Sequence, residues 1–349
     1  MRSAYLLVLL PLAFRQEPAP ATINIVTNVT TAAAPAPVIS VAAPPAANRP
    51  SCPPPRTDAP PVTPKLDEQV EHVQPAPSDA GWIAAWNDHH VFVSYDAGAT
   101  FQRALDGDDD VRDASFDCWG HLIVLRGSRV GVRDGARDHW REVTGILGAQ
   151  DDPRAVLGGG PDIVVVGRAP GEGARGLAAI SADTGATWRY HDAGQYITGE
   201  RRLRGRQEAD GKIEVAAALE DCMNDDLVWT TIEGDDVSTT NEGIEESTSF
   251  GLYGDVIVTD WGWRTRRGEW HQLDTRGAVS VVPGAFPVLV IEDKTYRFEN
   301  GHLRALPLVV EGEPQAVDAA GRVWSIACGK PLVARRAATG ALAACSSAD

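Results

Sequence analysis

Four groups of side chains in this 349-residue chain have the types and spacing to do chemistry. Asp106, Asp108 and Asp110 alternate, and Asp117 stands twelfth counting from Asp106. Oxygen ligands at that spacing suit calcium, although Val111 occupies the place where an EF-type loop turns on glycine. Trp261, Trp263 and Arg264, followed by Arg266, Arg267 and Trp270, could stack on sugar rings and bind their hydroxyls. Alternate tryptophans on a strand also fill the gap between two sheets, and packing is the default for a residue so often buried. Arg201, Arg202, Arg204 and Arg206 could clamp a carboxylate or line a solvated loop. Asp96 and Asp183 sit in near-identical octets. His89, His90 and His139 have no third group at ligand spacing, and no G-x-S-x-G, H-E-x-x-H or phosphate-binding glycine loop occurs.

The octets are Ser94-Tyr95-Asp96-Ala97-Gly98-Ala99-Thr100-Phe101 and Ser181-Ala182-Asp183-Thr184-Gly185-Ala186-Thr187-Trp188. Each has a short polar side chain able to bond the backbone of a tight reversal, a glycine suited to positive φ, and an aromatic anchor. Both fit S-x-D-x-G-x-T-[FW], which resembles the Asp-box (BNR repeat) of sialidase-like β-propellers. The resemblance implies an all-β propeller of four-stranded blades, with the octets on hairpins between the two outer strands. It gives Ser94, Asp96, Gly98, Thr100 and Phe101, and Ser181, Asp183, Gly185, Thr187 and Trp188, structural roles away from the ligand face. The Arg-Ile-Pro signature that precedes the first box in sialidases is missing, which argues against sialidase chemistry.

Weaker repetition extends through the rest of the chain. Apolar, β-branched runs begin at His90, His121, Asp162, Lys212, Asp255, Pro287 and Arg322. Their mean spacing of about 39 residues is that of propeller blades. Asp117-Cys118-Trp119-Gly120-His121-Leu122 parallels Asp318-Ala319-Ala320-Gly321-Arg322-Val323, a turn ahead of what reads as the inner strand of a blade. Asn300-Gly301 between alternating residues signals a hairpin. Seven blades are expected, with six or eight as alternatives.

Within Met1–Ala21, Met1–Phe14 carries one arginine and a short apolar core, and Ala19-Pro20-Ala21 is an A-x-A site, the pattern of a signal peptide. Residues 22–78 are rich in Pro, Ala and Thr, with no apolar periodicity, and are expected to form a disordered spacer before a propeller at 79–349. Five cysteines without C-x-x-C argue against zinc. Cys328 and Cys345 are the preferred disulfide, leaving Cys52 odd and Cys118 and Cys222 as either buried thiols or a second bridge. A net charge of −16 and the lack of a basic stripe argue against nucleic acid. No later segment is apolar enough to span a bilayer as a helix.

These features together predict a secreted, periplasmic or cell-surface recognition module that binds a glycan or protein ligand through one propeller face, with no cofactor beyond the calcium at Asp106, Asp108 and Asp110. Two alternatives stay open: a divergent glycoside hydrolase or lyase with carboxylates at the central channel, and a structural assembly factor.

Overall fold

Alternation along the apolar runs decides the architecture. In the strand Leu122–Arg126, Leu122 and Val124 pack against residues of 72–106, whereas Ile123 and Leu125 pack against residues of 152–195. A strand whose two faces both meet other sheets must be sandwiched, and each fully buried Leu or Ile contributes roughly 1.5–3 kcal/mol. Repeated round the chain, this pattern yields seven apolar clusters, each filling the seam between two consecutive sheets.

The computed structural model describes residues 51–60, 62–106, 110–133, 140–143, 152–168, 175–195, 200–208, 210–220, 225–243, 249–265, 268–273, 279–292 and 294–336. All lie in the compact unit Val41–Asp349, and every regular element among them is a strand. Six antiparallel four-stranded sheets follow one another in chain order: blades 1 to 6, at 72–106, 111–143, 152–195, 200–243, 250–272 and 279–306. Blade 7 contributes three strands, Glu313–Val317, Val323–Ala327 and Lys330–Val333. A separate two-stranded pair joins Leu308–Val309 to Arg335–Arg336. The first strand of each blade touches the first strand of the next, and Glu313–Val317 of blade 7 returns to His72–Pro75 of blade 1. The fold is a closed seven-bladed propeller, as the repeat predicted.

Two expectations need correction. The apolar runs after the Asp-led turns are second strands, not innermost ones. Leu122–Leu125 and Val164–Val166 are fully buried because sheet neighbours and both adjacent blades enclose them. The innermost strands read as interrupted, polar segments such as Val111–Phe116, whose Arg112 is exposed. The run at His90 is the third strand of its blade, because Ile83–Trp86 had already supplied the second.

The boundary at residue 79 also falls inside the propeller. His72–Pro75, assigned to the spacer, pairs in register with Ile83–Trp86. Residues 52–60 and 62–71 form a strap over blades 2, 1 and 7. Cys52 is disulfide-bonded to Cys118 of blade 2, so Cys52 is not the odd cysteine. The Arg56 N–H donates to Ser78 O and its carbonyl accepts from Ala80. Arg322 of blade 7 donates to Pro60 O at 3.1 Å and to Ala80 O at 2.6 Å. Lys330 donates to the carbonyls of Asp67 and Glu68, and Leu66 and Val70 enter the seam between blades 7 and 1. The strap lacks apolar periodicity because its backbone bonds go to turns and side chains rather than to a ladder. Cys328 is itself disulfide-bonded; Cys222 and Cys345 lie outside the described residues.

Candidate functional site

Neighbouring strands run antiparallel, so the turns after the first and third strands of every blade share one face of the disc. Both octets lie there, each joining a third strand to a fourth. In the first, Ser94 Oγ donates to Asp96 Oδ1 at 2.7 Å and accepts from the amides of Asp96 and Gly98. Asp96 accepts from the Thr100 amide at 2.9 Å and the Thr100 hydroxyl at 2.6 Å. Ser181, Asp183, Gly185 and Thr187 repeat all five bonds. The turn bends through two left-handed residues, Ala97 then Gly98 and Thr184 then Gly185, and glycine meets that demand without strain. Burial pulls both carboxyls toward the neutral form, but the donors from Thr100 and Ser94, and from Thr187 and Ser181, outweigh it and hold them below the usual aspartate value. Phe101 packs into the seam between blades 7 and 1, and Trp188 into that between blades 2 and 3. These carboxylates are committed to turn geometry.

Toward the same face, the axis widens into a cavity of about 870 Å³. The ends of the innermost strands build it: Asp113–Ser115, Ala155–Gly158, Gly205–Glu208 and Gly251–Gly254, with Pro283–Ala285 and Arg297–Asn300 from blade 6. Small residues leave the volume, and some are glycine because blades approach backbone to backbone. A Cβ at Gly158 would lie 2.2 Å from Phe116 O, and one at Gly284 2.1 Å from Val317 O. A cavity on the octet side differs from the arrangement that the family resemblance implied.

The cavity's charged side chains engage internal partners. Arg206 donates to Glu214 Oε2 from Nε at 2.8 Å and from Nη2 at 2.5 Å, and reaches Glu208 and the Gly254 carbonyl. Glu214 is fully buried, and Lys212 lies 3.1 Å from its other oxygen. Asp113 accepts from the amides of Ala114 and Val156. Arg297 pairs with Glu299 at 2.9 Å and lies over the Phe286 ring.

No protein-family model and no curated protein matches this chain. Solved structures of similar fold include YCF48 from Cyanidioschyzon merolae, at 13% identity over 78% of this chain and 98% of that one, with a TM-score of 0.51. A chain of the mitotic checkpoint complex is similar at 14% identity over 80% and 96%, with a TM-score of 0.53. At such identities the likeness is one of fold.

The remaining sequence candidates fall elsewhere. Trp261 stacks near Trp270 in the seam between blades 4 and 5, with the buried Arg264 guanidinium 5.2 Å from the Trp270 ring. Trp263 lies 4.4 Å from the His271 ring, in the seam between blades 5 and 6. All three serve packing rather than an open stacking platform. Arg206 holds a carboxylate, but one from its own blade, and Arg201, Arg202 and Arg204 lie on the strand Glu200–Gln207 rather than in a loop. Asp106 ends the strand Gln102–Asp106, Asp110 is exposed, and Asp108 lies outside the described residues. Among the described residues, no three His, Cys, Asp or Glu are placed to hold a metal. Gln207, Asp113 and Tyr253 were not singled out, because innermost strands carry no apolar run to mark them.

Proposed function

We propose that this chain is an exported recognition module of the Asp-box, sialidase-like kind, which binds a glycan, peptide or protein partner at the octet-side face of the propeller. The observation that carries the reading is the axial cavity. Strands from several blades converge on it, yet its carboxylates Asp113, Glu208 and Glu299 each already engage an internal donor. A site of that kind orients a ligand and lacks an uncommitted acid and base for glycoside cleavage. The two octets with matching bonds support the family assignment. The Cys52–Cys118 bridge supports export, since such bonds persist in oxidising compartments. One similar fold occurs in a multiprotein complex, which keeps a protein partner among those considered.

The test is a glycan and peptide array probed with the full chain, beside a screen of 4-methylumbelliferyl glycosides. Saturable binding without turnover is the expected result. Hydrolysis abolished by Asp113→Asn or Glu299→Gln would establish the enzyme instead.

A further inference from the structure

The fold identifies the sulfur to which Cys328 is joined. Cys328 is disulfide-bonded and exposed. It stands at the tip of the two-residue hairpin between Val323–Ala327 and Lys330–Val333 of blade 7. Both tip residues are left-handed, Cys328 at φ 51° and Gly329 at φ 71°. Asn-Gly is the usual pair in such a turn, and cysteine is an unfavourable choice there unless its sulfur is used. Cys52 and Cys118 are bonded to each other, so the partner within the chain is Cys222 or Cys345.

Reach decides between them. Cys222 falls among residues 221–224, between Glu220 and Asp225, which pair with each other at the ends of the second and third strands of blade 4. Turns after second strands share the face opposite the octets, but blades 5 and 6 separate blade 4 from blade 7. Packed sheets stand about 10 Å apart, so a ring of seven sets the second strands of blades 4 and 7 roughly 20 Å apart. Half of so short a loop adds about 7 Å of reach. A disulfide needs Cα atoms within about 7 Å, and the two-residue turn holding Cys328 cannot stretch to meet it. Cys345 faces no such gap. Arg335–Arg336, paired with Leu308–Val309, follows Lys330–Val333 directly. The nine residues from Arg336 to Cys345 can span about 30 Å, whereas the five-residue strand Val323–Ala327 is about 17 Å long. We propose that Cys345 bonds Cys328, fastening the C-terminal segment 337–349 to the hairpin that already holds the strap. There the Val70 N–H donates to Gly329 O at 2.8 Å, and Lys330 donates to the carbonyls of Asp67 and Glu68. The first and last segments of the propeller are thus secured at one turn. The bond also encloses Arg335–Arg336, so its pairing with Leu308–Val309 is tethered at both ends. In forming it, the two thiols release two protons and pass two electrons to a disulfide donor, which becomes a dithiol. Cys222 is left as the odd thiol.

The test is non-reducing tryptic mapping of the full chain, exported to an oxidising compartment and alkylated in denaturant at acid pH. Peptide Val323–Arg335 should run joined to Ala337–Asp349 and separate on reduction, and one alkylated thiol should appear, at Cys222. Cys222→Ala should leave the joined pair in place. Finding Cys328 alkylated, joined to the peptide that contains Cys222, or joined to a second copy of the chain would overturn the proposal. Stability gives a second measurement. Cys345→Ser and Cys328→Ser should each shift the unfolding equilibrium roughly a hundredfold toward the unfolded chain, as expected for opening a loop of this length. The double variant should shift it no further, because both single changes remove the same bond. Losses that add, or a Cys345→Ser variant as stable as the parent, would show that the segment is not clasped.

Discussion

Blade 3 and blade 7 complete themselves on opposite length scales. In blade 3 the reversal into the fourth strand is held by Ser181 and Asp183 through bonds that span four positions at most. Among the described residues blade 7 has three strands, and it meets the strap and blade 1 through bonds from Arg322 and Lys330 that span 242 to 263 positions. Local bonds need little loop closure and can form early. Long-range ones must overcome the entropy of joining the two chain ends, and the ring cannot close without them. The Cys52–Cys118 bond, across 66 positions, fixes one end of the strap. Trp324 links the two kinds of construction. Its indole donates to Asp318 at 2.9 Å, and a Cβ on octet residue Gly98 would lie 2.7 Å from its ring.

If closure between blades 7 and 1 dominates stability, Trp324→Ala should have the largest effect. It removes a fully buried ring and the donor to Asp318, and should cost about 3–5 kcal/mol in urea unfolding. Trp188→Ala, at a half-exposed anchor of blade 3, should cost clearly less, and equal losses would break the contrast. Replacing Cys52 and Cys118 together by Ser should cost about 2–4 kcal/mol through the freed unfolded chain. A melting temperature that is the same with and without reductant would show that the bridge contributes nothing to stability.

Next in size, Asp183→Ala and Asp96→Ala should each cost about 1–2 kcal/mol, because each leaves a turn amide and two hydroxyls without their acceptor. The two losses should add, since the octets lie in different blades. The smallest effect is on pH dependence. Both carboxyls are held below the usual value of 3.8, so the unfolded chain takes up protons first as pH falls. Their contribution is complete above that value and fades as pH drops through the folded one. Acid titration of stability should therefore be shallower in Asp96→Asn and Asp183→Asn, and an unchanged slope would count against these bonds.

Several elements were legible before any coordinates. Ser94 to Phe101 and Ser181 to Trp188 announce their turns because every bond involved is local, and the Asn300-Gly301 hairpin appears with both residues at positive φ, as that dipeptide predicts. Asp117 and Asp318 each accept two turn amides, which explains why their hexads echo one another. Illegible were the strap, whose Pro-rich composition resembles a spacer, and the cavity residues, which share no local pattern. Trp261, Trp263 and Arg264 looked available for a ligand because exposure is not written in residue type.

The sequence by itself determined the turns and the two-residue alternation, since each depends on neighbours a few positions apart, and it pointed to seven blades with six or eight as alternatives. Only the tertiary structure decided that Cys52 meets Cys118, that residues 52–60 and 62–71 bind the last blade to the first, and that the ends of the innermost strands frame one cavity. Those contacts join residues tens to hundreds of positions apart, and their geometry arises when the ring closes.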